Sequence, residues 1–191
     1  MNIAIIGLGN IGKGLAGALA NTAHNVTGVK KGDDLAAAVK DADIVILSTP
    51  YDASADVAGQ ADFSGKIIID VSNPVTADFS ALQLGHDSSA AEEVARLMPG
   101  ATVVKAFNTI FASHYASGLK IGGQPLQTFV ASDDEAARET VKSLAADIGL
   151  EARDAGPLKN ARYLEPMGFM NIQFGYVLGQ GAEIAPQWLA A

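Results

Sequence analysis

Residues 1–12 read MNIAIIGLGNIG, a short apolar run that leads directly into the pattern G-x-G-x-x-G. An uninterrupted apolar run is typical of a strand buried on both faces of a parallel sheet. Gly7 permits a tight turn after the strand, Gly9 lets the backbone approach a diphosphate, and Gly12 lets the following helix pack closely on the strand. The stretch therefore predicts a dinucleotide site at the helix N-terminus, where free N–H groups favour an anion. The predicted contacts are Gly7, Leu8, Gly9, Asn10, Ile11 and Gly12.

The end of the predicted second strand, residues 25–29, indicates which dinucleotide is bound. A site for NAD carries an Asp or Glu about 20 residues beyond the glycine pattern, where the carboxylate accepts hydrogen bonds from the ribose. This chain has Lys30 and Lys31 at that place, and two ammonium groups suit the ribose 2′-phosphate of NADP. Asp33 and Asp34 leave NAD open, although carboxylates there are also typical of a helix start. We predict NADP(H) as the cofactor.

Apolar strands and helical patterns alternate along most of the remaining chain. This alternation predicts an α/β fold with a doubly wound, mostly parallel sheet of the Rossmann type. Two segments of the form S-x-x-E, at Ser89 and Ser132, are interpreted as capping boxes that begin helices. Further strands are predicted at residues 44–48, 66–71, 102–107 and 127–131, and helices at residues 34–41, 52–61, 89–97 and 132–148.

We expect one Rossmann domain at residues 1–163, followed by a short helical extension at residues 164–191. The extension contains several aromatic and aliphatic side chains, and its only charged residues are Glu165 and Glu183. Such a segment would not remain exposed to water. We predict that it packs as a helix over the carboxyl edge of the sheet or against a second copy of the chain.

Loops at the carboxyl ends of the strands are the remaining candidate contacts, because ligands of doubly wound sheets bind there. Two of the predicted strands are followed closely by a proline, which stiffens the turn at the sheet edge. We expect these turns and the polar residue after the fifth strand to lie beside the cofactor. The predicted contacts outside the glycine turn are Lys30, Lys31, Thr49, Pro50, Tyr51, Asn73, Pro74 and Asn108.

The composition narrows the class of partner. The net charge of −8 argues against nucleic acid, because phosphate backbones are bound by clustered Lys and Arg. The chain has no cysteine, which excludes disulfides and thiolate metal ligands, and no metal site is predicted. No apolar run approaches the roughly 20 residues that span a bilayer. We therefore expect a cytoplasmic protein that acts on a small molecule and has no membrane partner.

Four stretches carry a resemblance to a known family: residues 5–14 (IIGLGNIGKG), 88–92 (SSAAE), 103–109 (VVKAFNT) and 154–162 (DAGPLKNAR). The chain resembles the NADPH-dependent deazaflavin (coenzyme F420) reductase-like proteins, whose fold recurs in the cytosolic domain of six-transmembrane epithelial ferric reductases. The resemblance implies that the glycine turn binds NADP, with Lys30 and Lys31 where family members commonly carry arginines. It also implies a homodimer with the acceptor bound near the C-terminal segment.

Two features depart from the family pattern. The segment between Lys31 and Asp41 is shorter by a helix and a short strand, which removes one wall of the adenosine pocket. Asn108 stands where archaeal deazaflavin reductases have a histidine, so this position is closer to bacterial relatives and to the ferric reductases.

The combined prediction is an NADP-dependent oxidoreductase that transfers a hydride between NADP(H) and a flavin-like or deazaflavin acceptor. Hydride transfer requires that two rings be positioned against each other, and it does not demand a strong acid or base. No catalytic residue is therefore predicted. Two alternatives stay open, a small carbonyl or imine reductase and a non-catalytic NADP(H)-binding sensor or subunit. The short C-terminal extension leaves little chain for a separate substrate domain.

Overall fold

A computed structural model describes residues 1–189 and places a five-stranded parallel sheet at its centre. The strands are β1 (Asn2–Ile6), β2 (Asn25–Val29), β3 (Ile44–Leu47), β4 (Ile67–Asp70) and β5 (Thr102–Lys105). Their order across the sheet is β2-β1-β3-β4-β5, and each neighbouring pair is parallel. The predicted Rossmann-type α/β fold is confirmed. Because the order reverses at β1, a crevice opens between β1 and β3 at the carboxyl edge.

Helices cover both faces of the sheet, which explains why the central strand β3 is entirely apolar and β1 is apolar after Asn2. The helices of the described chain are α1 (Asn10–Leu19), α2 (Leu35–Lys40), α3 (Ser54–Ala58), α4 (Ala90–Leu97), α5 (Ala112–Ala116), α6 (Glu135–Asp147) and α7 (Ala161–Ile172). Successive strand residues point to opposite faces. Ile3 and Ile5 therefore pack with α1 and α6, whereas Ala4 and Ile6 pack with α2, α3 and α4.

Beyond β5 the chain reverses direction before it rejoins the sheet. The remaining strands are β6 (Lys120–Ile121), β7 (Gln124–Pro125), β8 (Gln127–Val130) and β9 (Glu151–Asp154). The predicted strand at 127–131 is present as β8, which pairs in parallel with β9 and meets β5 in antiparallel orientation at Lys105 and Ala131. The sequence analysis did not predict β9, because its residues, EARD, contain no apolar run.

One of the two predicted capping boxes is confirmed and the other is wrong. Ser89 caps α4, since its Oγ accepts a hydrogen bond from the Glu92 N–H at 3.2 Å. The N-cap of α6 is Asp134, whose carboxylate accepts from the Ala137 N–H at 2.8 Å. Ser132 is buried, and its Oγ donates to the Val103 carbonyl at 2.7 Å. The same Oγ accepts from the Asp134 N–H at 3.3 Å, before the helix begins, so Asp134 and not Ser132 supplies the cap.

The helical C-terminal extension lies over the carboxyl edge of the sheet. The Asn108 side chain donates to the Leu164 carbonyl at 2.8 Å, and Asn171 donates to the Thr109 carbonyl at 3.2 Å. A π-type turn, Gln173–Val177, follows α7, and the chain then runs back without regular structure as far as residue 189. Residues 190–191 of the predicted extension lie outside the described residues. Within 1–189, every helix is too short or too polar to cross a bilayer.

Candidate functional site

The turn after β1 is held between the two neighbouring strands. Gly7 has a φ of +91°, a conformation that residues with a Cβ rarely adopt. Its N–H donates to the Val29 carbonyl at the end of β2, at 3.0 Å. A Cβ at this position would lie 2.9 Å from Thr49 Cγ2 and 3.0 Å from the Ser48 carbonyl group. Only glycine therefore fits between β2 and β3.

Helix α1 lies directly on this turn. A Cβ at Gly12 would overlap the Gly7 carbonyl oxygen and would lie 2.5 Å from Ser48 Oγ. The Ser48 hydroxyl hydrogen-bonds the Gly7 carbonyl and lies 3.2 Å from the Ile6 carbonyl oxygen. These contacts fix the position of the first turn of α1 relative to β1 and β3.

The N-terminus of α1 is left open for a ligand. Its N-cap, Gly9, provides no side-chain hydrogen bond, and its first turn contains no acidic residue. A Cβ at Gly9 would meet no atom within 4 Å, so this position faces open space. The first N–H groups of a helix have no partner within the helix, and together with the helix dipole they favour an anion.

A cavity of about 790 Å³ starts at this helix end and follows the carboxyl ends of β1, β3, β4 and β5. Its roof is formed by α7 and the π-type turn. The predicted contact residues that line it are Gly9, Asn10, Ile11, Thr49, Pro50, Asn73 and Asn108.

The other predicted contact residues do not line this cavity. Gly7 and Gly12 pack against each other and against Ser48. The Leu8 side chain packs against Gly28 of β2. Lys30 and Lys31 follow β2 and are exposed. The remaining two are Tyr51, which begins a short 3-10 turn, and Pro74, which is buried.

Two asparagines join the loops after β4 and β5. The Asn73 side chain donates to the Asn108 carbonyl at 2.8 Å, and the Asn108 side chain donates to Asn73 Oδ1 at 2.9 Å. Gly168 lets α7 approach this pair, since a Cβ there would lie 2.6 Å from Asn73 Oδ1. Asn108 is 7% exposed, and its Oδ1 has no hydrogen-bond partner in the described structure. The Ser72 hydroxyl, which also lines the cavity, lacks a partner too.

The loop after β5 carries backbone strain at Phe107, which lines the cavity. Its φ is +61°, which for a non-glycine residue costs about 1–3 kcal/mol. The Phe107 N–H donates to Thr128 Oγ1 at 2.9 Å, and its side chain is buried in the core. The surrounding structure therefore holds the loop in the conformation that turns Asn108 toward the cavity.

The far part of the cavity, here named the apolar chamber, was missed by the sequence analysis. Its side chains come from the loop after β4, the loop after β5, the last residue of α7 and the π-type turn, and no continuous helical or strand periodicity marks this set. Two signals were available: apolar residues in loops that follow strands, and the apolar C-terminal extension that was predicted to lie over this edge of the sheet. The chamber is lined by Val75, Phe79, Phe111, Ile172, Tyr176 and Val177.

A buried ionic network lies beneath the floor of the cavity. The Lys105 Nζ lies 2.8 Å from both Asp70 Oδ2 and Glu165 Oε1, and it donates to the Ser72 carbonyl. Burial alone would lower the pKa of Lys105, but the two carboxylates hold it above its ordinary value. Burial raises the pKa of Glu165, and Lys105 offsets this only in part. Glu165 also accepts the first two N–H groups of α4, at 2.9 and 3.2 Å.

Acid–base groups are scarce around the cavity. None of the three histidines lines it in the described structure. His114 is completely buried; its Nε2 lies 3.1 Å from the Ile184 carbonyl oxygen, so it secures the returning C-terminal segment. Residues 1–189 contain no group of three or more His, Cys, Asp or Glu side chains that could hold a metal ion. The arrangement suits the binding and positioning of rings.

Several known proteins are similar in sequence to this chain. The family model for NADP oxidoreductase, coenzyme F420-dependent, matches residues 2–74. The chain is 30% identical over 135 residues to the F420-dependent NADP reductase of Methanocaldococcus jannaschii, which is 67% of this chain and 60% of that protein. It is 35% identical over 122 residues to the metalloreductase STEAP3 of Rattus norvegicus, which is 64% of this chain and 23% of that protein. The match therefore spans less than two thirds of either relative.

A solved structure is similar over nearly the whole chain. This protein, from Arthrobacter sp. FB24, is described as a candidate F420-dependent NADP-reductase. The TM-score is 0.83 at 26% identity, and the match covers 95% of this chain and 96% of that one.

The ionic network predicts a large effect of Lys105→Met on stability. Removal of the cation leaves two carboxylates buried without a counter-charge, so we expect a loss of about 3–5 kcal/mol in the free energy of unfolding. Urea unfolding at neutral pH measures it. Lys142→Met, which removes a lysine paired with Glu139 at the surface, is the control and should change stability by less than about 1 kcal/mol. Equal effects of the two substitutions would contradict the role assigned to the network.

The open helix end predicts a selective effect of Gly9→Val. The added side chain fits the free structure but occupies the space that a diphosphate would need, so the affinity for NADPH should fall at least about tenfold. Gly17→Val, two turns further along α1 and also free of neighbours, is the control. NADPH fluorescence titration and thermal unfolding separate binding from folding. Unchanged affinity in the Gly9 variant would show that the helix end is not used.

Proposed function

We propose that this chain, which is similar to the coenzyme F420-dependent NADP oxidoreductases, transfers a hydride between NADP(H) and a flavin-like or deazaflavin acceptor. The observation that carries this proposal is one continuous cavity, which runs from the open N-terminus of α1 past Asn108 to the apolar chamber. Reduced nicotinamide supplies a hydrogen with its bonding electron pair, and solvent supplies a proton. NADPH, H⁺ and the oxidised acceptor thereby become NADP⁺ and the reduced acceptor.

The diphosphate of the cofactor is proposed to bind at the first turn of α1. Asn10 and Ile11 line the cavity there, and Gly9 leaves space for the phosphate oxygens. Backbone N–H groups at a helix N-terminus stabilise such an anion without a basic side chain.

The nicotinamide is proposed to lie beside Asn108. Both N–H groups of this side chain are already used, by Asn73 Oδ1 and the Leu164 carbonyl, so the group left for a ligand is its Oδ1, an acceptor. A buried polar atom without a partner costs about 1–3 kcal/mol. The carboxamide N–H of a nicotinamide would satisfy Asn108 Oδ1, and the Ser72 hydroxyl is available in the same cavity. The residues present therefore fit the group.

The 2′-phosphate of NADP is proposed to bind Lys30 and Lys31. Both lysines are exposed and follow β2 at the edge of the sheet that carries the cavity. The two nearby carboxylates have structural roles: Asp33 accepts from the Lys30 N–H at 2.8 Å, and Asp34 caps α2. Because both carboxylates already accept hydrogen bonds from the chain, they are less available to the ribose hydroxyls of NAD, and this favours NADP.

The double variant Lys30→Glu, Lys31→Glu tests this assignment. Attraction to the 2′-phosphate becomes repulsion, so the dissociation constant of NADPH should rise at least about tenfold, while that of NADH should change by less than about twofold. The double variant Lys40→Glu, Lys120→Glu makes the same change in net charge elsewhere and is the control. Calorimetric titration with both nucleotides gives the comparison. Equal losses for NADPH and NADH would contradict the assignment.

The implied homodimer is also a proposal. Several side chains of α7 and the following turn are exposed although they are apolar, which is unusual for a surface that no partner covers. These are Met170, Phe174, Tyr176, Val177 and Leu178. A second copy of the chain would remove this surface from water and close the chamber near its roof.

Stopped-flow oxidation of NADPH tests the proposed reaction. The panel of acceptors comprises riboflavin, FMN, a deazaflavin, a soluble quinone and a ferric chelate. We expect rapid oxidation with at least one ring acceptor, together with one equivalent of reduced acceptor per NADPH. If NADPH binds but no acceptor oxidises it, the reaction is wrong and the chain is a non-catalytic NADP(H)-binding subunit.

A further inference from the structure

Charge is distributed very unevenly around the cavity. Its lining in the described structure includes one charged side chain, Asp78, and no lysine, arginine or histidine. The apolar chamber beyond Asn108 is lined by aliphatic and aromatic side chains from the loop after β4, the loop after β5 and the C-terminal extension. An acceptor with a phosphate or carboxylate tail would therefore meet a negative charge and no positive one.

Asp78 lies at the lip of the chamber, in a well-bonded turn. Its Oδ1 accepts from Thr76 Oγ1 at 2.6 Å, from Ser80 Oγ at 2.8 Å and from the Ser80 N–H at 3.1 Å. These hydrogen bonds, from Thr76 first and then Ser80, lower the pKa of Asp78 to about 2. The carboxylate is therefore ionised throughout the neutral range.

The turn that carries Asp78 is attached to the roof of the chamber. Gln173, in the π-type turn, donates from its side chain to the Phe79 carbonyl at 2.9 Å. A second link closes the loop itself, because Val75 and Leu82 form an isolated antiparallel bridge. The negative charge thus has a defined place beside the residues that would contact the acceptor.

Three cations of the described structure lie around the site but are not part of the cavity lining. Lys105 lies beneath the floor and is neutralised by two carboxylates. Arg162 pairs with Glu92 at 2.7 Å. Lys13 lines a neighbouring groove along α1, which shares Asn10, Ala112 and Tyr176 with the cavity. None of these three side chains lines the cavity itself.

We infer that the acceptor is an uncharged, largely apolar ring compound, such as an isoalloxazine or a quinone that carries no phosphate or carboxylate tail. This inference rests on the proposed function and names the substrate class of the same cavity. The redox balance is unchanged: the reduced nicotinamide loses a hydrogen with its electron pair, and the neutral ring gains that hydrogen and a solvent proton. Negative charge at the lip then discriminates against anionic analogues of the same ring.

Riboflavin and FMN provide the test, because they share one ring and differ by a phosphate that carries nearly two negative charges at neutral pH. We expect kcat/KM for riboflavin to exceed that for FMN at least about tenfold at low ionic strength. The ratio should shrink at high salt, since screening weakens repulsion between charges near the surface. Flavin fluorescence quenching in the presence of NADP⁺ measures binding of the same two compounds independently of turnover.

The variant Asp78→Asn keeps the turn, because the amide oxygen can still accept from Thr76 and Ser80, but it removes the charge. The FMN-to-riboflavin ratio of kcat/KM should rise about threefold in this variant. Asp41→Asn removes an exposed carboxylate just before β3, at the opposite edge of the sheet, and should leave the ratio at the wild-type value.

The outcomes separate this inference from the proposed function. NADPH oxidation with FMN equal to or faster than with riboflavin would overturn the inference and leave the function standing. An Asp78→Asn variant with an unchanged ratio would also overturn it. NADPH that binds without oxidation by any acceptor of the panel would overturn the proposed function, and equal binding of riboflavin and FMN would overturn the inference.

Discussion

Helix α1 can lie directly on the turn after β1 only because residue 12 has no side chain. A Cβ there would overlap the Gly7 carbonyl oxygen and press on the Ser48 hydroxyl, which itself hydrogen-bonds that carbonyl. This contact points the open end of α1 at the crevice between β1 and β3. The cavity begins at that helix end and continues past the carboxyl ends of four strands. Every element of the proposed cofactor site is placed relative to this single close approach.

The second constraint is the ionic network around Lys105, which couples the floor of the cavity to its roof. The same ammonium group contacts Asp70 at the end of β4, the Ser72 carbonyl and Glu165 of α7. Glu165 in turn holds the N-terminus of α4. Buried charges are costly unless they are paired. The end of β4, α4 and α7 therefore cannot shift relative to one another without leaving a buried charge unpaired. The positions of Ser72 and α7, and hence of the chamber between them, depend on this pairing.

The sequence predicted those parts of the site that directly follow apolar strands. The glycine turn, Asn73 and Asn108 were placed correctly at the carboxyl edge, because the strand ends are marked by a change from apolar to polar residues. The chamber was not predicted, since Phe79 and Tyr176 lie in a loop and a π-type turn without periodicity. Lys105 lies inside the strand predicted at residues 102–107, and no local pattern indicated its ion pair because its partner Glu165 is 60 positions away. The capping box at Ser132 was wrong because the helix begins only at Glu135, where the Asp134 carboxylate is the cap, and Ser132 instead bonds Val103 and the Asp134 N–H.

The most direct measurement is a crystal structure of the protein grown with NADP⁺. The account predicts electron density for the diphosphate against the backbone N–H groups at the start of α1, the nicotinamide carboxamide within hydrogen-bond distance of Asn108 Oδ1, and the 2′-phosphate beside Lys30 and Lys31. A nucleotide bound elsewhere, or crystals without nucleotide at saturating concentration, would contradict it.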